Sequence, residues 1–223
     1  MLRATDRWHE AFPGALAGAL VLRGVSNPSR CEPLQQRKRS LEAELRESAP
    51  DAARLAAYAD YYRRHGKTYH VRGQWESVAR KGRPIPTRAA LVEAMFMAEL
   101  RNLILTAGHD VAALHLPLRA DATSDGDTYV QLSGAERTVR AGDMMMADGA
   151  GIVSTVLHGL DSRTRITPAT TEVLFAVYAP AGIGADAIRE HFEDIRANVL
   201  LIAPDAETVA LEITPSQALP KLS

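Results

Sequence analysis

The apolar residues in the first half of the chain follow mainly a helical period. From Thr87 to about Ala107 they recur at steps of three and four residues on two faces, which predicts a central, buried helix. An earlier apolar run, Ala15 to Val25, follows the turn signal Pro13-Gly14 and is typical of a strand. One strand is therefore expected ahead of the helical part of the chain.

Two shorter helices are predicted between that strand and the central helix. Ser40 can begin a charged helix that runs to about Glu47, and Asp51 can cap a second helix that stops at Gly66. Together, at about residues 40–65, they predict a small N-terminal helical annex. The segment that follows, residues 67–86, is predicted to be irregular.

Beyond about residue 120 the pattern changes to that of strands. Residues 128–132 and 136–139 flank Ser133-Gly134 and predict a hairpin. One further helix is expected at about residues 185–197, and further strands are expected at residues 143–147, 151–157, 172–178, 199–203 and 208–213. Because the helices come first and no regular βαβ alternation follows, the predicted class is α+β, with a mixed sheet packed on the central helix. A single domain is expected over residues 1–223.

Composition and charge restrict the partners that this chain can have. Hydrophobic residues make up 46% and charged residues 24%, and the formal net charge of −1 excludes a globally basic nucleic-acid binder, so DNA is not an expected partner. The apolar segment Met95 to Leu105 is too short and too charged to span a membrane. The single cysteine, Cys31, and the absence of a signal peptide indicate a cytoplasmic protein.

One segment departs from this neutral balance. Residues 63–88 carry eight basic residues and a single acid, Glu76. Such asymmetry suits contact with a phosphate backbone, and Tyr69, His70 and Trp75 offer faces for stacking bases. RNA contacts are predicted for four of its members, namely Arg72, Arg80, Lys81 and Arg83. A solvated basic loop without a partner explains the pattern about as well.

The seven histidines and the one cysteine form no motif that predicts a metal or a cofactor. They contain no zincin-type pair, and residues 149–151 lack the lysine of a phosphate-binding loop. His109 and His115, six residues apart, leave a metal site as a weak alternative. A Ser-His-Asp triad is compatible with the composition, although no G-x-S-x-G motif is present. Cys31 beside Arg30 is better explained as a solvated thiol than as a nucleophile.

A long polar segment, residues 157–171, separates two apolar strands and holds His158, Asp161 and Arg163. It is longer than the ~4–6 residues of a typical connection. Long polar loops on a rigid sheet often carry function. The alternative is an ordered loop held by its own Asp and Thr side chains.

Several segments, taken in order, have a familiar spacing. They are Pro13-Gly14 with Asn27, residues 100–105 with Asn102, Gly108-His109-Asp110, residues 126–134, residues 141–149 with Ala147-Asp148, the loop with Gly159, Asp161, Thr167, Thr170 and Thr171, and residues 179–183. This series resembles the B3/B4 domain, the tRNA-editing domain of the beta subunit of phenylalanyl-tRNA synthetase. The resemblance runs from about Phe12 to Ile213.

The resemblance implies a free-standing aminoacyl-tRNA deacylase. In the synthetase this domain hydrolyses tRNA-Phe wrongly charged with tyrosine, so the expected partner is a mischarged tRNA and no cofactor is expected. The synthetase domain has a glutamate in the loop that corresponds to residues 156–163, where it binds the tyrosine hydroxyl. No glutamate stands there in this chain, and specificity for tyrosine therefore does not follow.

The predicted site lies where the polar loop meets the end of the central helix. His158 and Asp161 are the predicted catalytic residues: His158 faces the amino-acid side chain or the attacking water, and Asp161 binds the substrate amine or anchors the loop. The predicted substrate-binding residues are Asn102, His109, Asp110, Arg163, Thr167 and Thr171. Two alternatives remain, a non-catalytic module that binds RNA or protein, and a hydrolase of free amino-acid esters or amides that needs no basic segment.

Overall fold

The computed structural model of the protein describes residues 1–214, and residues 215–223 of the predicted domain lie outside them. The chain is α+β, as predicted. The helices are α1 (Asp6–Ala11), α2 (Glu32–Glu47), α3 (Ala52–Arg64), α4 (His70–Ala79), α5 (Ala90–Asn102) and α6 (Ala185–Leu200). The strands are β1 (Leu2–Ala4), β2 (Leu16–Arg23), β3 (Thr106–Asp110), β4 (Leu118–Ala122), β5 (Thr128–Val130), β6 (Glu136–Thr138), β7 (Met144–Asp148), β8 (Gly151–Thr155), β9 (Gly159–Leu160), β10 (Glu172–Ala179) and β11 (Glu207–Ile213).

The described strands form two main sheets and a small ribbon. One sheet is mixed and has the order β1-β4-β7-β8-β9, in which β1 runs parallel to β4 and the other pairs are antiparallel. The second sheet is antiparallel, with the order β11-β2-β10-β3, and β5 pairs with β6 as the predicted hairpin. The early strand β2 thus lies inside a sheet that also contains β10 and β11 from the end of the chain.

Helix α5 is the predicted central helix, and it is shorter than the apolar pattern indicated. It ends at Asn102 because Leu103 adopts a left-handed conformation, with φ of 55°, and its amide bonds Glu99 O at 2.7 Å. The apolar residues that follow belong to β3, which pairs with β10. A buried strand directly after a buried helix prolongs the apolar run, so periodicity alone placed the helix end near Ala107.

The helices before α5 are also more extensive than predicted. Helix α2 begins at Glu32, with Pro33 in its first turn, and Ser40 lies inside it rather than at its start. Asp51 caps α3 as predicted, because its carboxylate accepts bonds from the amides of Ala53 and Arg54.

The prediction of an irregular segment at residues 67–86 was wrong for the part that forms α4. This helix buries Val71, Trp75 and Val78, which follow each other at steps of four and three residues. The basic residues around them had obscured a short apolar stripe.

The strand predicted at residues 199–203 does not form, because helix α6 extends to Leu200 and a turn follows it. The buried stripe of α6 includes Phe192, Ile195 and Val199, and the chain then turns before β11 begins. The helix packs on β2, where a Cβ atom added to Gly18 would lie 2.9 Å from the ring of Phe192. Within residues 1–214, no helix combines the length and apolar character needed to cross a lipid bilayer.

Candidate functional site

A cavity of about 620 Å³ opens between the α5–β3 junction and the segment that follows β8. This volume is within the usual range of small-molecule sites, ~300–1,000 Å³. Its buried lining residues Glu99, Thr106 and Ser154 form the floor, and the exposed Lys67 lies at the mouth. The cavity therefore combines buried polar groups with a cationic entrance.

Glu99 is the most unusual group on the cavity floor. Its side chain comes from the last turn of α5 and the residue is only 6% exposed. Oε1 accepts a bond of 2.7 Å from the amide of Thr106, whereas no donor in the described chain reaches Oε2. Burial raises the pKa of Glu99 to about 8, so the carboxyl group is mainly protonated at neutral pH. A neutral carboxyl can both donate a hydrogen bond to a ligand and accept one.

A buried network lies behind the floor and joins α5 to α6. Thr106 Oγ1 lies 2.6 Å from His191 Nε2, and burial lowers the pKa of His191 to about 3. Asn102 Nδ2 lies 3.4 Å from His191 Nδ1 and donates to Asp194 Oδ2 at 2.8 Å. Asn102, predicted to bind substrate, therefore supports the wall from outside the cavity.

His109 supports the opposite wall in a similar way. It is fully buried on β3, with Nε2 at 3.1 Å from Ser154 Oγ and Nδ1 at 2.8 Å from Thr164 Oγ1. Burial lowers the pKa of His109 to about 3 and keeps the ring neutral. Ser154 also bonds the hydroxyl of Tyr178, and both of these residues line the cavity. The predicted ligand-binding residue His109 thus orients Ser154 from behind the cavity wall.

His158 lies on the cavity wall and is partly buried. Its backbone is fixed on both sides, because Thr155 Oγ1 accepts from its amide at 3.1 Å and Gln131 Nε2 donates to its carbonyl at 2.7 Å. Burial, with further contributions from the charges of Lys67 and Arg137, lowers the pKa of His158 to about 4. The imidazole is therefore neutral at physiological pH and can accept a hydrogen bond.

Asp161 and Arg163 lie in the same loop, and the bonds of each side chain go to other residues of the protein. Asp161 is 4% exposed and accepts bonds from both the amide and the hydroxyl of Thr164. Arg163 forms a bidentate pair with Asp148, both contacts being 3.0 Å, and its Nη1 also donates to Ala113 O at 2.6 Å. Neither residue is among those that line the cavity.

The remaining predicted substrate-binding residues tie the loop to the antiparallel sheet. Asp110 caps a short 3₁₀ turn through the amide of Ala112 and accepts from Thr170 Oγ1 at 2.7 Å. The amide of Thr167 donates to Thr170 Oγ1, and the carbonyl of Thr171 accepts from the amide of Val25. Of the predicted catalytic and substrate-binding residues, the structure brings His158 to the cavity, and the roles of all of them remain predictions.

The basic residues predicted to bind RNA lie on α4 and directly after it, and all four are exposed. Arg72 pairs with Glu76 along the helix, and the guanidinium of Arg80 lies 5.2 Å from the centre of the Trp75 ring. His70, at the start of α4, lines the cavity. The RNA-binding role of Arg72, Arg80, Lys81 and Arg83 remains a prediction.

Comparison with known proteins supports the fold. No protein-family model matches the chain, and no curated protein matches it. Its structure is similar to the crystal structure of an N-terminal fragment of the phenylalanyl-tRNA synthetase beta-subunit from Pyrococcus horikoshii, with a TM-score of 0.53 and 9% sequence identity. The match covers 96% of this chain and 50% of that one, so the chain spans about half the length of the fragment. The two chains share a fold, and at this identity the likeness shows the fold alone.

The sequence patterns did not identify Glu99 as a site residue, nor the other cavity residues Ser154 and Lys67. In the sequence Glu99 interrupts an apolar segment, and it counted there only as a charge that excludes a membrane span. A single acid on a helix that is apolar on two faces is the signal that could have identified it, since carboxylates are seldom fully buried without a partner. Among residues 1–214, no group of three or more His, Cys, Asp or Glu side chains is placed to hold a metal ion.

Proposed function

We propose that this protein is an aminoacyl-tRNA deacylase that hydrolyses the ester bond between a wrongly attached amino acid and its tRNA. The observation that carries the proposal is the cavity, in which a neutral buried carboxyl group and a neutral histidine lie behind a cationic entrance. The fold shared with a fragment of a tRNA synthetase subunit supports a tRNA-related role. Such a role places the protein in the cytoplasm, with mischarged tRNA as its partner.

The chemistry requires little from the protein because an aminoacyl ester is already activated. Water attacks the ester carbonyl carbon, the bond to the ribose oxygen breaks, and that oxygen leaves with a proton, which yields free amino acid and tRNA. His158 accepts a hydrogen bond from the attacking water and orients it. With a pKa of about 4 the imidazole is a weak base at pH 7, so its main contribution is position rather than proton abstraction.

The cavity floor and the entrance supply the other interactions. Protonated Glu99 has a free Oε2 that can donate to a carbonyl or hydroxyl oxygen of the aminoacyl group. Lys67 at the mouth, whose Nζ donates to Leu157 O at 2.8 Å, favours the negative charge that develops on the carbonyl oxygen. Asp161 accepts bonds from the amide and the hydroxyl of Thr164, which supports its role as an anchor of the loop rather than as a contact to the substrate amine.

A screen against a panel of mischarged tRNAs tests this function. Wild-type protein should release at least one amino acid faster than the spontaneous rate, and His158→Ala should lower that rate at unchanged melting temperature. His9→Ala, on the distant helix α1, is the matched control and should behave as wild type. If no mischarged tRNA is deacylated above the spontaneous rate, the proposal is wrong.

A non-catalytic RNA-binding module is the second candidate. It is favoured by one observation, the low pKa of His158, which leaves the cavity wall without a strong base at neutral pH. Such a module would bind tRNA without releasing its amino acid. A hydrolase of free amino-acid esters, in contrast, would act on small esters as well as on charged tRNA.

A further inference from the structure

A second, shallower recess of about 290 Å³ adjoins the mouth of the cavity. The two spaces share part of their lining, including Lys67, Arg137 and His158. The recess also contains His65 and Arg140. A ligand that fills the deep cavity therefore emerges directly between basic side chains.

The basic side chains of this recess outnumber its acids, because Asp143 is the one acid among the lining residues in the described part of the chain. Lys67, Arg137 and Arg140 are exposed, and within the described residues none of them forms an ion pair. Arg137 Nε makes one neutral contact, at 3.3 Å to Gln131 Oε1. Lys67, Arg137 and His65 all line the recess together with His158, and their charges contribute to the low pKa of His158. Cations that outnumber their counter-charges provide a site for an anion.

The carboxylate of Asp143 lines the recess and partly offsets the lowering of the Lys67 pKa by burial, but it forms no ion pair with the basic side chains there. Asp143 is 2% exposed, and its carboxylate accepts from the hydroxyl of Tyr61 at 2.5 Å and from the amide of Leu157 at 3.0 Å. Asp125 accepts from the amide of Ala141 at 2.9 Å. The guanidinium groups of Arg137 and Arg140 thus keep donors that suit phosphate oxygens.

We propose that this basic recess, formed by His65, Lys67, Arg137 and Arg140, binds a backbone phosphate at the 3′ end of the RNA whose aminoacyl group enters the deeper cavity. This inference rests on the proposed deacylase function and extends it to the residues that hold the RNA end. The ester is attached to the terminal ribose, and the phosphate on the 5′ side of that ribose is the anion closest to it along the chain. Because the recess and the deep cavity share part of their lining, a phosphate in the recess and an aminoacyl group in the cavity lie in the same order as along the RNA.

Binding of a short RNA tests the proposal. The probe is a fluorescent 12-nucleotide single strand that ends in CCA with a free 3′ hydroxyl, and affinity is measured by anisotropy over a range of salt concentrations. The double variant Arg137→Gln/Arg140→Gln should weaken binding by about tenfold or more and lower the log–log salt slope by about 0.7 for each lost phosphate contact. Unchanged affinity and slope would overturn the proposal.

Two further double variants serve as controls. Arg189→Gln/Arg196→Gln removes the same charge from exposed positions on α6 and should bind the probe as wild type does. Arg80→Gln/Arg83→Gln tests the surface after α4. If only this last variant loses affinity, RNA binds there and the recess has no part in binding. The melting temperature of each variant is measured as well and should equal that of wild type, so that a loss of affinity cannot come from unfolding.

Competition identifies the source of the phosphate. Inorganic phosphate and adenosine monophosphate should displace the probe only at concentrations far above that of the unlabelled RNA. If adenosine monophosphate competes as well as the RNA, the recess is a site for a free nucleotide and the RNA proposal is wrong.

Deacylation assays distinguish failure of this inference from failure of the proposed function. Arg140 lines the recess but not the deep cavity, and aminoacyl-adenosine lacks the phosphate, so Arg140→Gln should hydrolyse aminoacyl-adenosine at the wild-type rate while KM for charged tRNA rises. Equal loss on both substrates would contradict a phosphate contact. If wild type hydrolyses neither substrate but binds RNA through the two arginines, the deacylase function fails and the phosphate site stands.

Discussion

Lys38 on α2 and Glu93 on α5 form a buried ion pair, with 3.0 Å between Nζ and Oε2 and side-chain exposures of 6% and 1%. Gln35 Nε2 also donates to Oε2, and the amide of Arg88 donates to Oε1. The pair therefore attaches the early helices to the helix that carries Glu99. Removal of one partner from such a pair leaves a buried charge without compensation.

Lys38→Met should lower the free energy of unfolding by about 3 kcal/mol, because Glu93 then remains charged in the interior. Lys38→Met/Glu93→Gln should recover most of that loss, since glutamine is neutral and keeps an acceptor for the amide of Arg88. Urea denaturation of both variants measures the difference. The exposed pair Arg37–Glu44 is the control, and Arg37→Met should cost less than about 1 kcal/mol. If the double variant is as unstable as the single one, the charge is not the cause.

The contact between Arg163 and Asp148 provides a test between two roles for Arg163, a structural one and the predicted contact with substrate. Its guanidinium binds a carboxylate that is fully buried and also accepts from the amides of His115 and Ala150. Arg163→Met should therefore lower the free energy of unfolding by about 2 kcal/mol, and Arg163→Lys should recover only part of it because lysine cannot bind in bidentate fashion. Thermal melts of both variants measure this. A direct contact with substrate would instead lower turnover at unchanged stability.

Two glycines should respond to alanine in opposite directions. At Gly18 on β2, an added Cβ would lie 2.9–3.0 Å from Phe192 and Ile188, so Gly18→Ala should destabilise the protein by about 1–3 kcal/mol through overpacking. At Gly73 on α4, no atom lies within 4 Å of the added Cβ, and Gly73→Ala should stabilise by about 0.5–1 kcal/mol through helix propensity. Urea denaturation gives both values. Destabilisation by Gly73→Ala would contradict the helix at that position.

The sequence predicted the class of the fold because most elements have a clear period. The strands β7, β8 and β10 alternate or form short apolar runs, and Asp51 is a recognisable helix cap. Helix α4 was missed because its three buried residues lie among basic ones. The end of α5 was misplaced because a single left-handed residue, Leu103, turns the chain without any glycine signal.

The site was predicted less completely than the fold, for a physical reason. His158 was found because a long polar loop between apolar strands is visible in the sequence. The placement of Glu99, Ser154 and His158 around one cavity depends on how the α5–β3 junction lies against β8 and the segment after it, and no local pattern contains that information. Asn102, His109 and Asp161 are polar residues close to the candidate cavity, but their bonds to neighbouring side chains could be assigned only from the structure.

Glu99 should make the stability of the protein depend on pH in an unusual direction. Burial raises the pKa of its carboxyl group to about 8 from the usual 4.5. Between these pH values the unfolded chain has lost the proton and the folded chain has kept it, so the unfolded state binds fewer protons. The free energy of unfolding therefore falls as pH rises through this window, by up to about 1.4 kcal/mol per pH unit. Below pH 4.5 Glu99 causes no loss of stability, and above pH 8 the loss that it causes stays constant.

Glu99→Gln isolates this effect, because glutamine resembles the protonated acid and keeps an acceptor for the amide of Thr106. The variant should be more stable than wild type at pH 8 by a few kcal/mol, with the difference shrinking toward zero near pH 5. Denaturation at several pH values measures the difference between the two proteins. The buried histidines His109 and His191, with pKa values of about 3, weaken both proteins equally as pH falls below about 6.5, so they cancel in the comparison. The control is Glu47→Gln, at an exposed position on α2, whose free energy of unfolding should differ from that of wild type by the same amount at every pH. Parallel stability curves for Glu99→Gln and wild type would mean that Glu99 is ionised in the folded protein, and the cavity floor would then favour a cationic ligand group over an acceptor oxygen.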